Sequence, residues 1–449
     1  MRILLIFIIT IIFTFSGFTQ QDMSLNKAIQ IALHNNSDLK KNINNLDSYE
    51  STVHAAYGNF LPSLGAGARW DWSRSNVEGA GTIIIGGVTI PTTATTSTTR
   101  NYQARISSDW VLFDGLSNLA TLSQSENDLE SAELTLQRIK QDIVFQTTSL
   151  YYDIVNTQKQ LKVNEDNLKW NEKNLETIRE RNRLGAATLA DVYQQEVATG
   201  NAELEIIITQ NRLENAKNDL LYFLGVDVLE HYIFSDSLTA EENEILNADL
   251  LADYQNVSEL VNEALENRHD YKSAKLNFES ATDGVTIAQS GHWPSLIADG
   301  SYLWRGDNIS TIDQSKTFSA GLSLRIPIFE GWSVSNRVQF AEVQAKNTEI
   351  VLSDLKRDIK RQIQNTYLDL QAVRKGLLVS QRNVAAANEN LKIEEEKYAI
   401  GAGKLLDVLI ANSNYTNALS DLINAQFAYI VSSARLKYYL GVLDFTKYE

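Results

Sequence analysis

Two kinds of hydrophobic periodicity alternate along this chain. Apolar residues that recur every seven positions predict long helices packed side by side. They fall at Leu129, Leu136, Ile143 and Leu150, and in a second series at Leu370, Leu377, Val384 and Leu391. After Leu150 the register steps by four residues to Ile154, which indicates a local unwinding of the supercoil. Two helical hairpins, at about residues 115–225 and 331–441, are therefore predicted.

Four shorter segments alternate apolar and polar residues, which predicts β-strands. They span about residues 63–76, 101–112, 295–306 and 316–328. One parity carries aromatic and aliphatic residues, and the other carries mostly polar and charged residues. Strands of about ten residues with one apolar and one wet face are typical of a bilayer-spanning barrel. A soluble antiparallel sheet with one solvated face is the alternative.

Tryptophan is concentrated in or beside these strands. The residues near the strand ends are Trp70, Trp72, Trp110 and Trp304. Aromatic rings collect at membrane–water interfaces, where one edge is apolar and the other is wet. We therefore predict that these four side chains are membrane-interface anchors that contact outer-membrane lipid.

The chain is an internal duplication. Segment 113–115 superposes on 329–331, and the same offset carries 184–225 onto 400–441 without an insertion. Upstream the offset is larger and pairs Pro62 with Pro294. The additional residues of the first copy all fall before Phe113, where residues 79–99 are rich in Gly and Thr and predict a longer loop. Each copy opens with a helical segment, at about residues 24–57 and 258–289.

These boundaries divide the chain into four parts. Residues 1–20 predict a secretory signal peptide, because a basic start precedes an apolar run too short to span a membrane. Residues 21–226 and 257–449 are the two repeats, and 227–256 is an acidic connector. The hairpin tips lie at 184–191 and 400–407. The predicted fold class is mainly α with a β part, an internally duplicated unit of long coiled-coil hairpins plus four strands.

Composition excludes several classes of function. The chain has no cysteine, so disulfides and cysteine-based sites are excluded, and its net charge of -16 argues against nucleic-acid binding. The histidines His34, His54, His231, His269 and His292 show no metal-ligand spacing. Neither a nucleophile elbow nor a framed pair of catalytic carboxylates is present. We predict no enzymatic activity, no cofactor and no metal.

The strand count predicts an assembly. Four strands cannot close a barrel, and an open edge in lipid leaves backbone groups unpaired at a cost of several kcal/mol each. Two copies would form an eight-stranded barrel filled by its own side chains, whereas three copies form twelve strands around a lumen. We predict a homotrimer in which the long hairpins continue the barrel as a helical tube of roughly 100 Å.

The two hairpin tips carry a specific resemblance. They read RLGAATLADV at 183–192 and AIGAGKLLDV at 399–408, each downstream of a strand pair. This layout resembles the TolC-like outer membrane factor family over essentially all of the mature chain. The resemblance implies a trimeric 12-stranded barrel in the outer membrane of a Gram-negative bacterium, continued by a periplasmic α-helical barrel. It places the connector in the equatorial region of that structure.

The resemblance also implies partners. The tips would dock onto a periplasmic adaptor (membrane fusion) protein, which couples the channel to an inner-membrane pump of the RND or ABC type for efflux or type I secretion. The implied docking residues are Leu184, Gly185, Asp191, Val192, Ile400, Gly401, Asp407 and Val408. A plainer alternative is that the glycines only end helices and the aspartates only begin them.

An entrance gate is implied at the same place. The resemblance assigns Asp407, Tyr398, Asp191 and Lys404 to it, with Lys404 standing in for an arginine that Gly403 replaces. Ile410 occupies the position of a second aspartate found in some members. A periplasmic coiled-coil adaptor or scaffold that does not conduct is the alternative function, although an adaptor normally carries a single hairpin. A secreted hydrolase is a third class without a supporting sequence feature.

Overall fold

A computed structural model describes residues 21–78, 81–92, 95–235, 240–248 and 256–448. The predicted signal peptide at residues 1–20 lies outside these ranges. The described chain is mainly α-helical with a smaller β part, which confirms the predicted fold class. None of the described helices combines the length and the apolar character that a membrane-crossing helix requires.

The first repeat runs from short helices through strands to a long hairpin. It begins with β1 (Gln21–Met23), α1 (Leu25–Asn35) and α2 (Ser37–Gly58). The strands are β2 (Gly65–Val77), β3 (Gly81–Ile85), β4 (Val88–Thr92) and β5 (Thr95–Phe113). The hairpin consists of α3 (Ser117–Arg183) and α4 (Leu189–Leu224).

After the connector, the second repeat follows the same order of elements as the first. The connector contains β6 (Tyr232–Phe234) and α5 (Ala240–Asn247). The second repeat has α6 (Val257–Asn267), α7 (His269–Gln289), β7 (Ser295–Gly306), β8 (Ser315–Arg325), α8 (Ser333–Ala399) and α9 (Leu405–Leu440). The two long helices have 67 residues each and the two return helices 36 each, so the duplication preserves helix length.

The opening helical segments are each broken once. Between α1 and α2, the Asn36 side-chain oxygen accepts from the backbone N–H groups of Asp38 and Leu39 at 3.0 and 3.1 Å. An asparagine that satisfies the free N–H groups of a new helix start favours a boundary there. The corresponding break in the second repeat falls at Arg268, between α6 and α7.

Strands of both repeats form one antiparallel sheet in the order β2, β5, β7, β8. Trp70 lies opposite Tyr102, and Ala104 lies opposite Trp304. Directly opposed residues of an antiparallel pair point to the same face. The apolar parities of the four strands therefore share one face of the sheet, and the polar parities share the other.

The predicted loop at residues 79–99 is wrong for most of its length. β3 and β4 form a hairpin within it, and β5 already begins at Thr95. The turn residues Gly86 and Gly87 have φ values of +60° and +86°. Two consecutive glycines with positive φ suit a two-residue hairpin turn, and the flanking isoleucine, valine and threonine favour strands. Gly and Thr content alone did not reveal this strand pattern.

The described chain divides into two compact units, and each contains parts of both repeats. The first unit takes described residues from 1–41, 137–268 and 358–449. Its fully buried side chains include Met23, Ile154, Leu220 and Leu440, and β1 pairs with β6 in parallel there. The second unit, residues 42–136 and 269–357, contains the four-stranded sheet.

Candidate functional site

The first hairpin tip is closed by a glycine and a capping box. Gly185 adopts φ +76°, and the N–H of Ala186 donates to the carbonyl of Arg181 at 2.7 Å, which ends α3. The Thr188 hydroxyl accepts from the N–H of Asp191 at 3.1 Å, and the Asp191 carboxylate accepts from the N–H of Thr188 at 2.9 Å. This reciprocal pair begins α4 and holds the Asp191 side chain within its own tip.

The second tip has the same backbone but lacks the capping box. Gly401 adopts φ +77°, and the N–H of Ala402 donates to the carbonyl of Lys397 at 2.9 Å. Lys404 occupies the position before α9 and makes no capping hydrogen bond with its side chain. The Asp407 carboxylate is exposed, and within the described ranges it has neither an ion pair nor a side-chain hydrogen bond. The two tips therefore present their aspartates differently.

Two of the predicted docking residues are buried. Val192 and Val408 are only 6% and 2% exposed. Val192 packs against Ile178 and Leu405, and Leu405 belongs to the other hairpin. Val408 packs in a neighbouring cluster around Leu391. A side chain enclosed between helices of its own chain cannot contact a partner, so the predicted docking role of these two valines is corrected to a packing role.

The outermost residues of each tip are open to solvent. Leu184 and Ile400, which precede the tip glycines, are 72% and 81% exposed. A Cβ added at Gly185 or Gly401 would meet no atom of the described ranges within 4 Å. The tips thus combine a well-packed interior with a small exposed apolar end.

Arg181 joins the two tips, and sequence analysis did not single it out. Its guanidinium donates to the carbonyls of Tyr398 and Ala399 at 3.3 and 3.4 Å, and lies 5.0 Å from the Tyr398 ring centroid. Burial raises the pKa of the Tyr398 hydroxyl, the charge of Asp191 adds to the rise, and Arg181 opposes it. The sequence feature that could have identified Arg181 is a cationic residue in the last turn of a helix, where the last backbone carbonyls lack intrahelical partners.

The structure brings together only part of the predicted gate. Tyr398 of the second hairpin lies within electrostatic reach of Asp191 of the first. Lys404 and Asp407 lie on the second tip, where in the described chain neither side chain has an ion pair. Their role in a gate stays a prediction.

The predicted interface tryptophans lie on the apolar face of the sheet. Trp70, Trp72 and Trp110 are exposed there. Trp304 is half-buried, with its ring centroid 4.4 Å from that of Tyr302. The Trp110 indole N–H donates to the carbonyl of Phe60 at 2.9 Å, so its polar edge is satisfied while its ring stays free.

The N-terminal part of α8 carries a second exposed apolar surface. Its members are Phe340, Val343, Ile350 and Val351, all of them exposed. The matching positions of α3 are occupied by Gln124, Asn127, Leu134 and Thr135, so three of the four are polar there. Two of these polar residues bond to α7: Gln124 donates to the carbonyl of Ser280 at 3.2 Å, and Asn127 to the carboxylate of Asp283 at 3.1 Å. The α3 face is thus covered by α7, whereas no described part of the chain covers the α8 face.

This geometry defines a class of protein that has duplicated coiled-coil hairpins, a sheet with one apolar and one polar face, and exposed apolar surfaces. The profile of the family described as Outer membrane efflux protein matches residues 28–226 and 260–442, one match for each repeat. The chain belongs to this family.

Individual proteins are similar to this chain over nearly its whole length. Outer membrane protein TolC of Escherichia coli (strain K12) is 24% identical over 443 residues, which cover 96% of this chain and 85% of TolC. The crystal structure of CusC superposes with a TM-score of 0.82 at 17% identity, covering 94% of this chain and 92% of CusC. VceC from Vibrio cholerae superposes with a TM-score of 0.78 at 18% identity, covering 93% and 96%. The structural likeness confirms the fold.

Family membership decides the general function. The protein is an outer-membrane channel of the efflux or type I secretion class, from a Gram-negative bacterium and with a long periplasmic part. It is not an enzyme, because the family and the relatives are channel proteins. The predicted resemblance and the predicted location are confirmed.

Proposed function

We propose that three copies of this chain form a continuous channel that conducts substrates passively from a periplasmic adaptor and an inner-membrane pump to the exterior. The observation that carries the proposal is that the four-stranded sheet has unpaired edges and one apolar face. Within the described ranges, β2 and β8 each pair along one edge only, and the sheet presents a shared apolar face. Open strand edges are stable in a membrane only when other strands pair with them, whereas an apolar face suits contact with lipid.

The exposed apolar surface of α8 supports the same assembly. Phe340 is 71% exposed, and Ile350 lies on the same helix surface. Burial of apolar surface contributes about 25 cal/mol per Å², so several such side chains per interface give a substantial driving force for association. In a ring of three copies, each α8 face would be covered by a helix of the next copy.

Docking of the adaptor is proposed at the exposed ends of the two tips. Leu184 and Ile400 supply apolar contact, and the tip glycines leave room for close approach of a partner helix. The Tyr398, Asp191 and Arg181 contacts hold the two tips against each other, which would keep the periplasmic end of the channel narrow.

Assembly is tested by charging the α8 surface. The double substitution Phe340→Glu and Ile350→Glu should abolish the trimer in native mass spectrometry and the conductance in planar bilayers, because it places six carboxylates in the three interfaces. The conservative double substitution Phe340→Leu and Ile350→Val, which keeps this surface apolar, is the control and should leave both intact. A wild-type protein that fractionates with the soluble periplasm and never conducts would instead favour the non-conducting scaffold.

Docking is tested separately at the tips. Leu184→Asp together with Ile400→Asp should weaken cross-linking to the adaptor while trimers persist. Leu204→Asp, at an exposed leucine about four turns along α4, is the matched control. Unchanged cross-linking in the tip variant would remove these residues from the docking surface.

A further inference from the structure

The polar face of the sheet carries three arginines around one glutamine. Gln103 lies opposite Arg69 on one side and opposite Arg305 on the other. Arg105 stands two residues along β5, and is therefore diagonal to both arginines at about 7–8 Å. Because residues two apart share a face, all four side chains lie on the polar side of the sheet.

These arginines face a common concavity. It has a volume of about 660 Å³, and its lining includes Arg69, Gln103, Arg105 and Arg305 together with serines from β5, β7 and β8. The concavity therefore lies on the polar side of the sheet. All three arginines are exposed into this space.

Most of this positive charge is uncompensated. Arg69 pairs with Asp71 at 2.7 Å. In the described part of the chain, Arg105 and Arg305 make neither an ion pair nor a hydrogen bond with their side chains. Their neighbours in the same rows are Leu303 and Gln103, which carry no charge. Three guanidinium groups within about 10 Å repel each other unless an anion lies between them.

In one direction, Asp307 follows β7 two residues beyond Arg305. In the other direction, the next carboxylates along β5 and β7 lie toward the helices. Asp109 and Asp299 are directly opposed, two rows from Arg105 and separated from it by Ser107 and Ser301. Rows on one face are about 7 Å apart, so roughly 14 Å separates the aspartate row from Arg105. The sheet therefore carries an acidic layer and a distinct basic layer, here called the arginine belt, formed by Arg69, Arg105 and Arg305.

We infer that the arginine belt is a binding site for anionic groups of molecules that pass through the channel. The inference rests on the proposed function, because three copies would place nine arginines around one lumen. Guanidinium groups bind carboxylate and phosphate groups through paired N–H donors. Because the belt is wet and open, binding is weak and allows release toward the exterior. The ligand class is a molecule with several carboxylate or phosphate groups.

A purely structural role makes a different prediction. Arginines that only brace a barrel wall need carboxylate partners, and their removal would lower trimer stability without changing the response to anions. A binding belt needs free guanidinium groups, and its removal would change the response to anions in an intact trimer. The two roles are separated by measuring both quantities on the same variants.

The test uses single trimers of the full-length protein in planar bilayers, with inorganic tripolyphosphate as the probe. Wild-type conductance should be blocked, and the double substitution Arg105→Gln and Arg305→Gln should weaken the block about tenfold, since hydrogen bonds to charged groups are the strong ones. The reversal potential in a KCl gradient should shift toward cation preference. Arg74→Gln with Arg100→Gln, on the same two strands as Arg69 and Arg105 but on the opposite parity, is the matched control and should leave the block unchanged.

The outcomes separate the two proposals. A channel that conducts, and that tripolyphosphate blocks equally with and without Arg105 and Arg305, overturns the belt while the proposed function stands. An equal loss of block in the Arg74 and Arg100 control also overturns it, because the effect would then be one of total charge. A wild-type protein that forms no conducting channel overturns the proposed function and the belt with it.

Discussion

The two repeats have long helices of identical length and tips with the same backbone conformation. They differ in the contacts made at matched positions. The pairs are Gly115 and Gly331, Arg181 and Lys397, Thr188 and Lys404, Asp191 and Asp407, and Gln124 and Phe340. Within the described chain, the first member of each pair packs closely against or hydrogen-bonds to its surroundings in a way that the second member does not.

This asymmetry indicates that the two copies of the unit have different tasks. The first repeat satisfies its polar groups within the chain, as with the capping box of Thr188 and Asp191. The second repeat leaves an apolar helix surface and an unpaired carboxylate available to other molecules. Duplication alone would produce equal halves, so we expect assembly and gating to act where the halves differ.

The largest effect is expected at the two strand-to-helix turns. A Cβ at Gly115 would lie 2.7 Å from both the Ser290 carbonyl oxygen and the Trp293 Cβ, whereas at Gly331 it would meet no atom of the described residues within 4 Å. Both glycines have positive φ, of +72° and +61°. Gly115→Ala should therefore lower the free energy of unfolding by about 2–5 kcal/mol, from strain plus overpacking. Gly331→Ala should cost only about 1–2 kcal/mol.

The measurement is thermal loss of helical circular dichroism for the purified trimers. Gly115→Ala should unfold at a clearly lower temperature than Gly331→Ala. Equal losses would contradict the comparison, and would mean that the Gly331 turn is packed as tightly as the Gly115 turn by a neighbouring copy.

A smaller effect is expected where one repeat holds the other. Arg181 donates to carbonyls at the end of α8, whereas Lys397 pairs with Glu394 of its own helix, at 2.7 Å. Arg181→Ala should cost about 1–2 kcal/mol locally. Lys397→Ala should cost less than about 0.5 kcal/mol, because an ion pair between residues three apart on one helix, with an exposed lysine, is a weak one.

Hydrogen exchange of backbone amides at residues 396–402 measures this difference. The substitution at Arg181 lies in the first tip, yet it should accelerate exchange in the second tip about tenfold. Faster exchange in the first tip alone would show that Arg181 does not join the tips.

The capping box provides the third test. Thr188→Ala should destabilise the first turn of α4 by about 1 kcal/mol and accelerate its amide exchange about fivefold. Lys404→Ala should leave α9 unchanged, because Lys404 makes no capping bond. Lys404→Thr should slow exchange in the first turn of α9, since threonine three residues before Asp407 recreates the capping box of the first tip. No slowing would show that the second tip cannot adopt that geometry.

The elements were largely predictable from the sequence because periodicity is local. Alternation by two in the strands and spacing by seven in the helices identify the elements and their apolar faces. The inward direction of Val192 and Val408 was not predictable, because it depends on which helix packs against each tip. Arg181 was missed for the same reason, since its acceptors belong to the other repeat. The β3–β4 hairpin was missed because glycine and threonine were interpreted as loop composition.

The smallest effect is expected from substitution of the two tip aspartates. Here the comparison between the repeats concerns gating of the channel entrance. Asp191 is held by Thr188, whereas the Asp407 carboxylate is exposed and free of ion pairs in the described chain. Three exposed carboxylates near one axis attract cations. Asp407→Asn should therefore weaken block of single-trimer conductance by Mg²⁺ about two- to fivefold, as expected for exposed charges. Asp191→Asn should leave the block unchanged and loosen only the α4 cap.

Lys404→Thr sharpens this last test, because it changes the availability of the Asp407 carboxylate without removing it. In that variant the new capping bond would direct Asp407 toward its own backbone, and the Mg²⁺ block should weaken in the same direction as in Asp407→Asn. Removal of the nearby lysine charge alone would instead strengthen the block, so Lys404→Ala distinguishes the two causes. If Asp407→Asn and Asp191→Asn weaken the block equally, the free carboxylate of the second tip has no special role at the entrance, and the asymmetry between the tips is structural only.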